Sequence, residues 1–311
     1  MKLLDSATMR DALPFPALIE ALREMFVAGA QVPLRHTHKI ATASEEGTVL
    51  IMPAWQEGRY LGIKTVNVFP GNATLGLPGL HSTYVLYDAR TGVPLAQLDG
   101  NEITSRRTAA AAALGASHLA RRDASRMTLL GAGRVGSLVP EAYRAVLPIE
   151  RVDVWDANPA ASERLVARLA ALGFDARVAG DLPASVAAAD VVSCATLATE
   201  PVVRGEWLAP GSHLDLIGSF TPAMREADDA CFAGARLAVD TPEAFQKSGD
   251  LLGPLQRNVI GDPERWPTLE TLCRGQATGR ADDAERTVFK AVGTALEDLA
   301  AAVLVFEGGG N

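Results

Sequence analysis

The stretch 126-RMTLLGAGRVGSLVPEAY-143 decides how this chain folds. An apolar run ends in Gly131, Gly133 and Gly136, spaced G-x-G-x-x-G, and a helix is expected to open behind them. The three glycines in that spacing serve, in order, a tight turn, close approach of backbone to a pyrophosphate, and close packing of helix on strand. The N–H groups of the helix start face the phosphates. The spacing alone is a weak signal, but its surroundings strengthen it. A second strand, "RVDVWD" (151–156), ends in Asp156, about twenty residues beyond Gly136, where a ribose-binding acid is expected. Asn158 and Pro159 then supply a helix start, with asparagine at the cap and proline at the first helical position.

Working outward, "DARVAG" (175–180), "DVVSCAT" (190–196), "HLDLIGS" (213–219) and "ARLAVD" (235–240) follow as strands separated by helical stretches, which predicts a parallel sheet. Upstream the texture differs. Residues 6–29 carry Leu13, Ala17, Ile19, Leu22 and Phe26 at helical spacing, with Ser6 as cap. "TVLIMPAW", "YLGIKTVNVF" and "HSTYVLYDARTGVPLAQLDG" are β-branched and aromatic runs between turn residues, and "YDARTGVPL" forms a hairpin around Gly92. Residues 31–100 are therefore a mainly antiparallel sheet. The segment 285–309 is expected to be one long helix with an apolar stripe. The fold class is thus α/β: a Rossmann dinucleotide-binding domain over 115–284, and an α+β domain over 1–114 completed by 285–311.

The chain has 311 residues, 48% hydrophobic, enough for two cores, with a net charge of −8. No Lys/Arg block forms a footprint for nucleic acid. No apolar run reaches the roughly 18 residues of a membrane span, and the start is too polar for a secretory signal. Cys194, Cys231 and Cys273 include no CxxC pair. They are expected to be reduced thiols of a cytoplasmic protein without a zinc site.

With the glycine loop placed, the chain resembles the ornithine cyclodeaminase/μ-crystallin family. The resemblance is carried by "IMPAW" (51–55), "GIKTVNVFPGN" (62–72), "PLAQLDGNEITSRRTAAAAALGA" (94–116), "ATEPVVRGEWLAPGSHLDLIGS" (198–219), "VDTPEAFQKSGDL" (239–251) and "TVFKAVGTALEDLAAA" (287–302). It implies a homodimer whose first domain holds substrate and dimer contacts while the second holds the dinucleotide. It also implies chemistry at the α-carbon of a small amino or imino acid. The arginine-bearing block is closer to the ketimine reductase branch, and Phe220 stands where cyclodeaminases carry an aspartate. A phenyl ring cannot pair with a distal ammonium, whose unpaired burial costs several kcal/mol. Reduction of a cyclic imino acid, of the 1-pyrroline- or 1-piperideine-2-carboxylate type, is therefore the leading expectation. Ornithine cyclodeamination, alanine dehydrogenation and a dinucleotide-dependent binding protein are the rivals.

The resemblance assigns Arg35, Met52, Lys64 and Arg107 to the substrate, with Lys64 and Arg107 catalytic. Neighbouring helical residues point about 100° apart, so Arg107 is expected to enter the site and Arg106 to face solvent, a carboxylate or a partner. With both arginines at the mouth of the alanine helix, its N–H groups, its dipole and Arg107 are expected to converge on one carboxylate. For the cofactor, the loop offers Gly131, Gly133, Arg134, Val135 and Gly136, and the second strand end Asp156, Ala157 and Asn158. Ala195, Thr196, Leu197, Ile217, Gly218, Ser219 and Val292 surround the nicotinamide by resemblance. Asp156 favours NAD by repelling a 2′-phosphate; Arg134 leaves NADP open. His81 and His213 are weaker candidates for a general acid, and Lys247 reverses the charge usual in its block.

Overall fold

A computed structural model describes residues 1–42 and 46–308. They fall into two compact units, residues 1–107 with those from 294 onward, and residues 108–293.

The first unit begins with β1 (Lys2–Leu4), α1 (Ser6–Ala12) and α2 (Phe15–Ala28). The single helix expected over 6–29 is thus two. Pro14 disfavours helical geometry at Leu13 and supplies no N–H, so the chain restarts at Phe15. The cap of α1 is Asp5 rather than Ser6; its carboxylate accepts the Thr8 N–H at 2.9 Å. Next come β2 (His36–Ile40), β3 (Gly47–Trp55), β4 (Tyr60–Val68), β5 (Leu80–Asp88) and β6 (Pro94–Asp99). They build the antiparallel meander expected, in the order β1-β6-β5-β4-β3-β2, with β1 added parallel to β6. The β5–β6 hairpin turns through Gly92 at φ 72°. Met52, Ala54, Lys64, Val66, Tyr84 and Leu86 share the buried face of this sheet, as the strand period of two dictates.

The long helix α3 (Gly100–Leu119) starts directly after β6, and Asp99 accepts the Glu102 N–H at 2.8 Å. Arg106 and Arg107 therefore lie in its second turn, past the unpaired N–H groups. The expected convergence of dipole and Arg107 does not form, because α3 begins at Gly100 and Arg107's own backbone belongs to the helical ladder.

In the second unit the glycine stretch behaves as its pattern demands. β7 (Arg126–Leu130) runs into the turn and α4 (Val139–Arg144) follows. After them come β8 (Arg151–Trp155), α5 (Pro159–Ala171), β9 (Asp175–Val178), α6 (Leu182–Ala187), β10 (Val191–Cys194), β11 (His213–Leu216) and β12 (Arg236–Val239). Then α7 (Ala244–Lys247), α8 (Gly249–Gln256) and α9 (Leu269–Cys273) precede β13 (Thr287–Lys290). The seven strands are parallel, in the order β12-β13-β11-β10-β7-β8-β9. The order reverses between β7 and β10, and in such sheets ligands bind outside the carboxyl ends of the strands flanking the reversal.

Strand β13 corrects the expectation of one helix over 285–309; only α10 (Ala295–Gly308) is helical, and it belongs to the first unit. Thr287, Val288, Phe289 and Lys290 are all buried and pair on both sides, with β11 and β12. A strand buried on both faces shows no alternation, so its apolar run merges with a helical stripe behind it. Gly293, at φ 78°, separates the two elements.

Candidate active site

In the first unit α10 lies across β3, β4 and β5. Its first turns carry Glu297 and Asp298, both fully buried. Below them Lys64 rises from the middle of β4, opposite Met52 on β3 and Tyr84 on β5. Lys64 Nζ stands 2.6 Å from Asp298 Oδ2 and donates to Thr104 Oγ1 at 3.3 Å. Arg107 reaches the same carboxylate from α3: its Nε donates to Asp298 Oδ1 at 3.0 Å and its Nη1 to Glu297 Oε2 at 2.9 Å. One aspartate thus bridges the two cations nominated as catalytic from sequence.

Burial disfavours charge on Lys64 and lowers its pKa to about 8; Asp298 pulls the other way, while Arg107 and Arg35 add to the depression. Asp298 is held below the usual carboxylate range despite its burial, by Lys64 and Arg107. Tyr84 is raised well above its ordinary value by burial and by Asp298. Sequence reasoning misses Asp298, Glu297 and Tyr84. The two acids lie within an apolar helical stripe, and only the folded chain puts them over Lys64. The available signal is a pair of acids amid the alanines and leucines of "ALEDLAAA".

Arg106 takes another direction, as the helical angle requires. Its Nε donates to the Leu13 carbonyl at 2.9 Å and its guanidinium lies 4.6 Å from the Phe15 ring centre. It therefore secures the α1–α2 junction, with Glu102 at 3.9 Å, rather than facing solvent. Arg35 is half-buried just before β2, and Met52 is buried. His81 points to the exposed side of β5, opposite to Lys64.

In the second unit the loop residues assemble at the carboxyl ends of β7, β8, β10 and β11. Gly131 has φ 101°, and a Cβ on Gly136 would lie 2.0 Å from the Gly131 carbonyl oxygen. Gly133 has open space where its side chain would be, leaving its backbone approachable. These features fit a pyrophosphate. Arg134, Ala157 and Asn158 are exposed at the rim, and Val135 is half-buried. Asp156 Oδ2 accepts the Ala132 N–H at 2.7 Å and Oδ1 the Asn158 N–H at 2.8 Å, so this acid fastens the glycine loop to the second strand end.

The loops after β10 and β11 bring Ala195, Thr196, Ile217, Gly218 and Ser219 together around Glu226, which sequence reasoning does not single out. Leu197 projects outward, 76% exposed, and Phe220 is 45% exposed. Val292 lies in the loop after β13, not in the last helix; its N–H donates to Asp240 Oδ2 at 2.8 Å. His213 is fully buried against Thr287, and burial lowers its pKa to about 3, so it is neutral and structural. Lys247 pairs with Glu243 one helical turn away.

Residues 4–309 match the ornithine cyclodeaminase/mu-crystallin family. A Delta(1)-pyrroline-2-carboxylate reductase of Paracoccus denitrificans is 40% identical over 90% of this chain and 88% of its own. Among solved structures, that of Thermococcus litoralis Delta(1)-pyrroline-2-carboxylate reductase in complex with NADH and L-proline has a TM-score of 0.91 and 31% identity, covering 99% of this chain and 97% of the other. An archaeal alanine dehydrogenase dimer with bound NAD has a TM-score of 0.90 and 30% identity, covering 99% and 95%. From its first helix to its last, this chain belongs to the ornithine cyclodeaminase/mu-crystallin family.

Proposed function

We propose that this chain is an NAD(P)H-dependent oxidoreductase that reduces the C=N bond of a cyclic imino acid to the corresponding amino acid. The observation that carries this reading is Lys64: a fully buried amine with a pKa of about 8, beside Arg107 and anchored to Asp298. General acids work best with a pKa near the operating pH, and reduction of an imine consumes one proton at nitrogen.

Arg107 and Arg35 bind the substrate carboxylate, with Lys64 completing its orientation. Two carboxylates already stand against Lys64 and Arg107, so Arg35 supplies the excess positive charge that an anionic substrate needs. Lys64 gives its proton to the imine nitrogen and is reprotonated from solvent, while Asp298 fixes the ammonium in place. A bound nicotinamide supplies the hydride that adds to the imine carbon. Gly131, Gly133 and Gly136 with Arg134 and Val135 cradle its pyrophosphate; Thr196, Gly218, Ser219 and Val292 flank its nicotinamide end. Asp156, with Ala157 and Asn158 beside it, favours NADH over NADPH by repelling a 2′-phosphate.

The protein works as a homodimer. Support comes from the archaeal dimer among its structural relatives. Support also comes from the sheet face turned away from α10, where Ile51, Trp55, Leu61, Ile63, Val85 and Tyr87 remain only half-buried.

The test is NADH and NADPH oxidation against 1-pyrroline-2-carboxylate, 1-piperideine-2-carboxylate and linear keto acids with ammonia, with ornithine plus NAD run in parallel. Turnover of a cyclic substrate well above the others is expected. Ammonia release from ornithine, or activity confined to linear substrates, contradicts the reading.

A further inference from the structure

Glu226 lies in the connection that follows β11, seven residues beyond Ser219, and is fully buried beneath the carboxyl ends of β10 and β11. Its Oε1 accepts the Thr196 N–H at 2.7 Å and the Thr196 hydroxyl at 2.9 Å. Its Oε2 accepts the Gly218 N–H at 2.8 Å and the Ser219 N–H at 3.1 Å. One side chain therefore uses both oxygens to tie together two loops that are about twenty residues apart in sequence and run off adjacent parallel strands. A carboxylate is the only side chain of this size that accepts at both ends. An amide would present N–H donors to N–H donors at one of the two loops.

Glu226 is itself fixed from behind. Its backbone N–H donates to Asp250 Oδ1 at 2.7 Å, and Asp250 Oδ2 lies 3.2 Å from Lys290 Nζ at the end of β13. Its carbonyl accepts the N–H groups of Val202 and Val203, at 2.8 and 3.0 Å. Gly218 leaves no room for a side chain, since a Cβ there would meet the Thr196 carbonyl oxygen at 2.0 Å and Glu226 Oε1 at 2.3 Å. Burial raises the Glu226 pKa, Lys290 and the two Thr196 donors oppose that rise, and Asp250 adds to it.

We infer that Glu226 is a positioning residue that sets the separation of the Thr196 and Gly218–Ser219 loops, and with it the fit of the nicotinamide end of the cofactor, while contacting neither cofactor nor substrate. This rests on the dinucleotide reading above. The adenosine end depends on Gly131, Gly133, Gly136 and Asp156, none of which bonds to Glu226. NADH and ADP-ribose, which lacks the nicotinamide, therefore separate this role from a general contribution to folding.

The experiment measures binding of both ligands by calorimetry, with turnover, in the wild-type protein and in Glu226→Gln. Expected is a loss of NADH affinity of about tenfold or more, a lower kcat, and ADP-ribose affinity within about twofold of wild type. Equal losses for both ligands, or no loss for either, overturn the inference. Should Glu226→Gln fail to fold, Glu226→Asp keeps the charge but shortens the reach to the two loops and decides the matter: NADH weakened at least threefold with ADP-ribose unchanged supports it, and unchanged NADH overturns it. If the wild-type protein binds neither NADH nor ADP-ribose, the dinucleotide reading fails, and the inference with it.

Discussion

Replacing Lys64 with methionine tests the proton chemistry and the electrostatics together, because both depend on one pKa. Burial takes Lys64 from 10.5 to about 8. As pH rises the folded protein releases this proton first, while the unfolded chain keeps it to about 10.5. The unfolded state thus holds more protons between the two values, and stability must rise with pH across that window. The full difference is worth about 3 kcal/mol, of which about 2 kcal/mol falls between about pH 7.5 and about pH 9.5. Subtracting the unfolding free energies of Lys64→Met from those of wild type at each pH removes the contributions of groups that do not interact with Lys64. The remaining difference is expected to climb in favour of wild type by that amount.

The same proton governs the reaction. Above about pH 8 the donor form of Lys64 disappears, so kcat/KM is expected to fall about tenfold per pH unit. Lys64→Met is expected to lose about 10²- to 10⁴-fold in kcat/KM while keeping its affinity for NADH. Asp298 draws the lysine pKa upward, so Asp298→Asn is expected to move the falling limb to lower pH. Stopped-flow NADH oxidation across the pH range and urea unfolding at matched pH supply the measurements. A kcat/KM profile that stays flat to about pH 9.5, together with a pH-independent stability difference, would refute a depressed Lys64 as the proton source.

Four further outcomes follow from the geometry. Gly136→Ala is expected to weaken NADH binding by tenfold or more, because its Cβ would meet the Gly131 carbonyl at 2.0 Å, and a fluorescence titration checks it. Asp156→Ser is expected to shift the NADPH-to-NADH ratio of kcat/KM at least tenfold toward NADPH, with some loss for both because the Ala132 and Asn158 N–H groups lose their acceptor. Arg106→Ala is expected to reduce stability by about 1–2 kcal/mol with kcat/KM near wild type. Arg107→Ala, which leaves Glu297 and Asp298 buried beside one fewer cation, is expected to cost about 3–5 kcal/mol and to abolish turnover. Equal kinetic losses for the two arginine variants would contradict this division of labour.

The second unit is legible from sequence because its signals are local. The G-x-G-x-x-G turn, Asp156 and the strand ends each announce themselves within a few residues, and the antiparallel runs of the first unit do the same. What cannot be read depends on distance along the chain or on burial that hides periodicity. Strand β13 is apolar at every position and so resembles the helix behind it. Pro14 is visible, but the helical spacing on either side of it outweighs the break. Glu226 sits in a loop whose importance appears only when two strand ends meet above it.

The acids of α10 are the most instructive omission, because they alter the chemistry assigned to residues that the sequence does identify. Taken alone, Lys64 and Arg107 make a doubly positive buried pocket in which desolvation and the neighbouring guanidinium would both strip the lysine of its proton. Glu297 and Asp298 cancel that charge, and Asp298 also keeps the two cations from repelling each other at close range. In such a neutral, dry cluster the balance between desolvation and attraction sets the lysine near 8 rather than at either extreme. The net positive charge that draws an anionic substrate to Arg107 then comes from outside the cluster. Arg35, close enough to depress Lys64, is the group that breaks the balance. Arg35→Ala is therefore expected to raise KM more than it lowers kcat, whereas Lys64→Met does the reverse. Steady-state kinetics on the two variants separates them, and a common effect on kcat alone would leave the carboxylate to Arg107 and Lys64 without Arg35.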